Sequence, residues 1–164
     1  MSKFIYFPSF SAGAMGSSLA KNVKLKNDLS IRFYSDEFPK KYRHTDILIT
    51  AGHHFKKDDY KNDLGLTDKN LVMGDSGGYQ IASGAIKWDM SIRERIFKWL
   101  EHNSDIAMNL DIPPKIKYEG MYEECLKISK DNFKYFADNQ SGNTDFLNVV
   151  QGTNDLEYIN WYNE

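Results

Sequence analysis

The chain has 164 residues, of which 41% are apolar and 27% charged, with a formal net charge of −2. This is the composition of a globular domain long enough to bury a core. It excludes a protein that coats nucleic acid by bulk positive charge, although a local basic patch would escape that argument. A single cysteine, Cys125, excludes an internal disulfide framework and a cysteine-cluster zinc site within these residues, and a reducing, cytoplasmic location is expected. No run approaches 18 apolar residues, so no membrane span and no membrane partner are expected.

Short apolar runs alternate with longer amphipathic segments. Phe4-Ile5-Tyr6-Phe7 predicts a first strand ended by Pro8, and the Ser-, Gly- and Ala-rich residues 8–18 predict a loop. Residues 19–45 mix charged and apolar positions without a period, and no element is assigned to them. Asp46–Thr50 predicts a second strand stopped by Ala51-Gly52, and Asn70–Met73 a third that runs into Gly74-Asp75. Ser91 is expected to cap a helix, with Glu94 as its capping-box partner and Ile92, Ile96 and Leu100 on one face. Asp105–Leu110 predicts a fourth strand, halted by Pro113-Pro114. Residues 120–138 predict a second helix with Met121, Cys125, Ile128 and Phe136 on one stripe. Phe146–Val150 predicts a fifth strand, and Asn154 with Glu157 a final capped helix. Strands alternating with helices predict a parallel α/β sheet in one domain spanning 1–164, with chemistry at the carboxyl edge.

Three strand ends carry the candidate chemistry. They are Gly74-Asp75-Ser76-Gly77-Gly78-Tyr79-Gln80, Asp111-Ile112-Pro113-Pro114 and Gln151-Gly152. If the strands are parallel, Asp75, Asp111 and Gln151 project from one rim beside the ring of Tyr79. Carboxylates accept from ring N–H and exocyclic amino groups, and a glutamine amide both donates and accepts, so the set suits a guanine-like purine. Tyr79 offers a stacking face, and Gly77 and Gly78 let the backbone approach a ligand. Each of these residues also has an ordinary role, since Asp after a strand caps helices and Gly-Gly makes tight turns.

The run Asp75-Ser76-Gly77-Gly78-Tyr79-Gln80 resembles the signature of tRNA-guanine transglycosylases. Ser104–Asp111 is similar to that family's next strand, and Val149-Val150-Gln151-Gly152 to the one after. Thr50-Ala51-Gly52-His53-His54 is placed like its Asn-Thr-Tyr-His loop. The order agrees over residues 46–160, about the first half of the family's barrel, and the short segment after the Asp75 motif resembles the compact branch that acts on DNA. The chain departs from the pattern in the Ile-Pro-Pro after Asp111 and in Thr153 where a second glycine is usual.

The resemblance implies an incomplete TIM-type barrel of about the first five β/α units. It implies a pentosyltransferase that exchanges guanine in tRNA or DNA for a 7-deazaguanine such as preQ0 or preQ1, through a covalent sugar–carboxylate intermediate on a flipped-out nucleotide. Asp75 would handle protons at the glycosidic bond, Tyr79 would stack on the base, and Asp111 and Gln151 would read its edge. Ser76, Gly77, Gly78 and Gly152 would line the pocket. No residue here matches the family's nucleophilic Asp or its zinc ligands, which are expected beyond Glu164. No cofactor or metal is therefore expected in these residues, and isolated they should bind the base without exchanging it. Partners implied are the base, tRNA or DNA, and a second chain or further copy completing the barrel. The alternative is a non-catalytic remnant or partner subunit.

Four other features draw weaker functional readings. Gly13–Ser18 could cradle phosphate but lacks a P-loop ending. His53-His54 reads as loop packing or sugar contact rather than a metal pair, and Lys40-Lys41-Tyr42-Arg43-His44 with Lys56-Lys57 reads as solvated surface. Cys125 reads as a small core residue.

Overall fold

The computed structural model describes Phe7, Ser9, Phe10, Tyr34, Asp36, residues 39–114 and residues 121–164. Five strands, β1 (Ser9–Phe10), β2 (Ile47–Thr50), β3 (Val72–Asp75), β4 (Ile106–Met108) and β5 (Asp145–Leu147), form one sheet. Their spatial order is their sequence order, and every neighbouring pair is parallel. The described helices are α1 (Ala51–His54), α2 (Tyr60–Leu64), α3 (Gly78–Ala82), α4 (Met90–Asn103), α5 (Tyr122–Asn139) and α6 (Asp155–Asn163), with a 3-10 turn at Lys40–Tyr42. The fold is α/β with an all-parallel sheet. No described helix is long and apolar enough to cross a membrane.

The expected strand at residues 4–7, apart from Phe7, which is not in a strand, and the expected loop at 8–18, apart from Ser9 and Phe10, lie outside the described residues, as does the phosphate-cradle candidate Gly13–Ser18. Inside the expected loop, Ser9 and Phe10 instead pair with Leu48 and Ile49. The unpaired edge of β2 recruits them, and that edge is invisible in the Ser-Gly-Ala composition. The third strand begins at Val72, two residues later than its expected start at Asn70, because the Asn70 carboxamide accepts from Thr67 N at 2.9 Å and donates to the Thr45 carbonyl at 3.0 Å. Ala51-Gly52 stops β2 by opening the short helix α1 rather than a loop.

Asp89, not Ser91, caps α4: its carboxylate accepts from Ile92 N at 2.9 Å and from the Ser91 hydroxyl at 2.6 Å. Those two bonds hold the Asp89 carboxyl below its ordinary pKa. Asn154 caps α6 as expected, accepting from Glu157 N at 3.1 Å. Glu157 reaches one residue further back than a capping box requires and accepts from Thr153 N at 2.7 Å. On α5, Cys125 and Phe136 are buried, whereas Met121 sits at the N-cap and is exposed.

Strand side chains alternate between two unlike faces, as a pleated strand requires. Ile47, Ile49, Val72 and Ala107 are buried in the core with Leu64, Ile96, Leu100 and Phe136 from the helices. Phe97, Phe136 and Phe146 close that core near β5, with ring centroids 5.0–5.7 Å apart. Gly74 lets α4 lie directly on β3, since a Cβ there would stand 2.6 Å from the Leu100 side chain. The register aligns Leu48, Met73 and Ile106 on the opposite face, with Met108 beside Leu147. These side chains are half-buried or, for Leu147, exposed. Thr50 and Asp75 end that same face at the carboxyl edge.

Candidate functional site

Asp75 is the last residue of β3, and its carboxylate is oriented by two donors. The Thr50 hydroxyl donates to Oδ2 at 3.2 Å, and Gly77 N donates to Oδ1 at 3.0 Å. The second bond needs a sharp turn, which Gly77 supplies with φ +84°. A Cβ on Gly77 would also collide with the backbone of Gly52, and one on Gly78 would collide with the Asp111 carbonyl oxygen. The Gly-Gly pair therefore serves close approach of protein to protein: α1 on one side, the end of the β4 segment on the other. Ser76 is fully buried, and its hydroxyl donates to the Asn109 carbonyl at 3.0 Å, tying the β3 turn to the next strand.

Asp111 is 8% exposed and accepts from Gln151 Nε2 at 2.7 Å through Oδ2. Burial raises its pKa to about 6; the Gln151 bond opposes the rise, and the nearby Asp75 charge adds to it. This carboxyl exchanges its proton close to neutrality, so one group can present a donor or an acceptor. Its backbone is fixed from α5. Asn132 donates to the Leu110 carbonyl at 2.8 Å, and Ile112 N donates to the Ser129 hydroxyl at 2.8 Å.

The structure thus brings Asp75, Asp111 and Gln151 into one neighbourhood at the carboxyl ends of β3, β4 and β5. Tyr79 lies on α3, 70% exposed, with its ring in no aromatic contact among the described residues. Gly152 faces α6 rather than the carboxylates, since a Cβ there would lie 2.8 Å from Tyr158 N.

Several contributors are not among the expected site residues. Thr50 orients Asp75, and Asn109, wholly buried, keeps an Oδ1 with no hydrogen-bond partner. Gln80 pairs its Nε2 with His53 Nε2 at 3.2 Å and keeps a buried Oε1 without a partner. Polar residues at apolar-expected positions were the available signal for Asn109 and Asn132; Thr50 carries none.

His53 and His54 lie on α1, not on a loop. His54 stacks on Tyr60 with centroids 4.0 Å apart, and its Nε2 lies 3.1 Å from the Tyr60 hydroxyl. Burial, helped by Lys57 and His53, lowers the His54 pKa to about 4, and burial raises that of Tyr60 to about 12. This pair is a packed structural unit. Among the described residues no group of three or more His, Cys, Asp or Glu is placed to hold a metal ion. Cys125 is buried, and burial raises its thiol pKa.

No family model matches this chain, and neither a curated protein nor a solved structure matches it.

Proposed function

We propose that this chain is the base-recognition part of a guanine transglycosylase-like protein built on the early units of a β/α barrel. The observation that carries the proposal is the Asp111–Gln151 pair, 2.7 Å apart, at the carboxyl edge beside Asp75. Two features of the sheet support the barrel. Its sequential order lacks the reversal of a doubly wound sheet. Its second face carries Leu48, Met73, Ile106 and Met108, and a parallel sheet with apolar residues on both faces is suited to covering on both.

In this reading Asp111 and Gln151 meet the amino and carbonyl edge of guanine or a 7-deazaguanine, and Tyr79 is free to stack on the base. Asp75 handles protons near the glycosidic bond of a tRNA or DNA nucleotide. The covalent nucleophile and the family's zinc ligands come from outside these 164 residues, from further chain or a second subunit. Exposed Leu156, Ile159 and Tyr162 on α6 favour a second reading, a non-catalytic partner that docks there.

The test is calorimetric titration of the chain with guanine, preQ0 and adenine. Guanine and preQ0 should bind, adenine should not, and Gln151→Ala should weaken binding by about tenfold or more, the scale of one lost base-edge contact. Supplying the later barrel strands in trans should restore base exchange, and Asp75→Asn should abolish it. Absence of binding by either base overturns the base-recognition reading. Binding without exchange in any assembly selects the non-catalytic one.

A further inference from the structure

The outer helical layer holds a feature that the base-site reading does not use. Arg93, on the first turn of α4, is 8% exposed and lies against α5. Its guanidinium carbon sits 4.1 Å from the centroid of the Tyr135 ring. Its Nε is buried without a hydrogen-bond partner, and its side chain makes no ion pair or hydrogen bond among the described residues. A guanidinium partly withdrawn from water is costly unless an anion compensates it, and a ring face compensates only in part. Arg93 lines a groove of about 370 Å³ between α4 and α5, a volume within the range of small-ligand sites.

The rest of the lining narrows the chemistry. Trp88, Met90 and Ile128 make an apolar wall. Asn132, wholly buried, also lines the groove and carries an Oδ1 with no partner. Lys134 is committed to Asp138 at 3.2 Å and adds no free positive charge. That pair offsets Asp138 as well, which leaves Asp131 as the carboxylate at the groove without a cationic partner among the described residues, so a second negative charge on a ligand would be repelled. A single charge on a planar, forked group matches the guanidinium, whereas a phosphate dianion brings a second charge that one guanidinium beside Asp131 does not compensate.

We propose that the α4–α5 groove binds a small amphipathic monocarboxylate, with Arg93 as its anion anchor and Trp88, Met90 and Ile128 against its apolar body. The site is separate from Asp75, Asp111 and Gln151, so it stands or falls independently of the base-binding reading.

The experiment titrates the full chain with phenylacetate, with its uncharged isostere phenylacetamide, and with inorganic phosphate. Binding is followed by NMR at the Arg93 Nε–H and the Trp88 indole. Phenylacetate should shift both signals, and phenylacetamide should bind roughly tenfold or more weakly, since the charge-assisted pair is lost. Phosphate should leave both signals in place at the same concentration. Arg93→Met should lose the binding. Met90→Glu, at an exposed position, sets a carboxylate at the groove mouth without disturbing the core and should weaken phenylacetate several-fold. Equal binding of acid and amide overturns the proposal, as do shifts confined to other residues, competition by phosphate, or unchanged affinity in Met90→Glu.

Discussion

Replacing Asp111 by Asn should stabilise the fold at neutral pH and leave it nearly unchanged in acid. The buried Asp111 carboxyl has a pKa of about 6 against an ordinary 3.8. Below 3.8 both folded and unfolded chains hold the proton. As pH rises through that window the unfolded chain releases it first, so the folded state loses stability until Asp111 itself ionises. A difference of about two pKa units corresponds to a penalty on the order of 3 kcal/mol above pH 6. Asn keeps an oxygen to accept from Gln151 and carries no charge to bury. His54 acts in the opposite sense over the same window: its lowered pKa makes the fold lose stability as pH falls from 6.5 toward 4. The wild-type profile therefore mixes the two, and the informative quantity is the difference between variant and wild type. Urea unfolding near pH 4 and near pH 7.5 measures it. The advantage of Asp111→Asn should be close to zero in acid and about 2–3 kcal/mol at neutrality. An advantage that does not change with pH would refute the claim that a buried ionisation at Asp111 opposes folding.

Three further outcomes are expected. Gly78→Ala drives a methyl group into the Asp111 carbonyl and should lower stability by about 1–3 kcal/mol or more, seen as a reduced melting temperature, while disturbing the Gln151 contact. Asn103→Ala removes a wholly buried carboxamide that accepts from Lys61 N at 2.8 Å and donates to the Asp58 and Trp99 carbonyls. The loss should be about 1–3 kcal/mol in denaturant unfolding, because the Lys61 N–H and the Asp58 and Trp99 carbonyls all lose this partner and the last of these bonds is buried. NMR titration of His54 should show its imidazole neutral down to about pH 4, and Tyr60→Phe, which removes the hydroxyl bond but keeps the stacked ring, should leave it depressed because burial is the main cause.

The strands from residue 46 onward were legible to within a few residues, since their apolar runs are short, β-branched and bounded by turn residues. The caps followed their own rule less closely. Asp89 and Ser91 are both acceptable capping residues, and the choice between them depends on where the chain from α3 enters the helix, which is a tertiary matter. The candidate site was legible as three polar strand ends. Which of them touch was not, because contact between Asp111 and Gln151, 40 positions apart, depends on strand order. Tyr79, the expected stacking ring, lies on α3 directly after the Gly-Gly turn and is 70% exposed.

Alternating apolar runs and amphipathic segments determined by themselves that the chain forms a parallel α/β sheet, because strands separated by helix-length segments join through right-handed crossovers that lay the helices on the sheet. The tertiary structure alone decided the rest. It set the sequential strand order, the half-covered second face of the sheet, the burial that moves the Asp111 proton toward neutrality, and the isolation of Arg93 between two helices. Each of these depends on which distant groups exclude water from a residue, and periodicity along the chain carries no record of that.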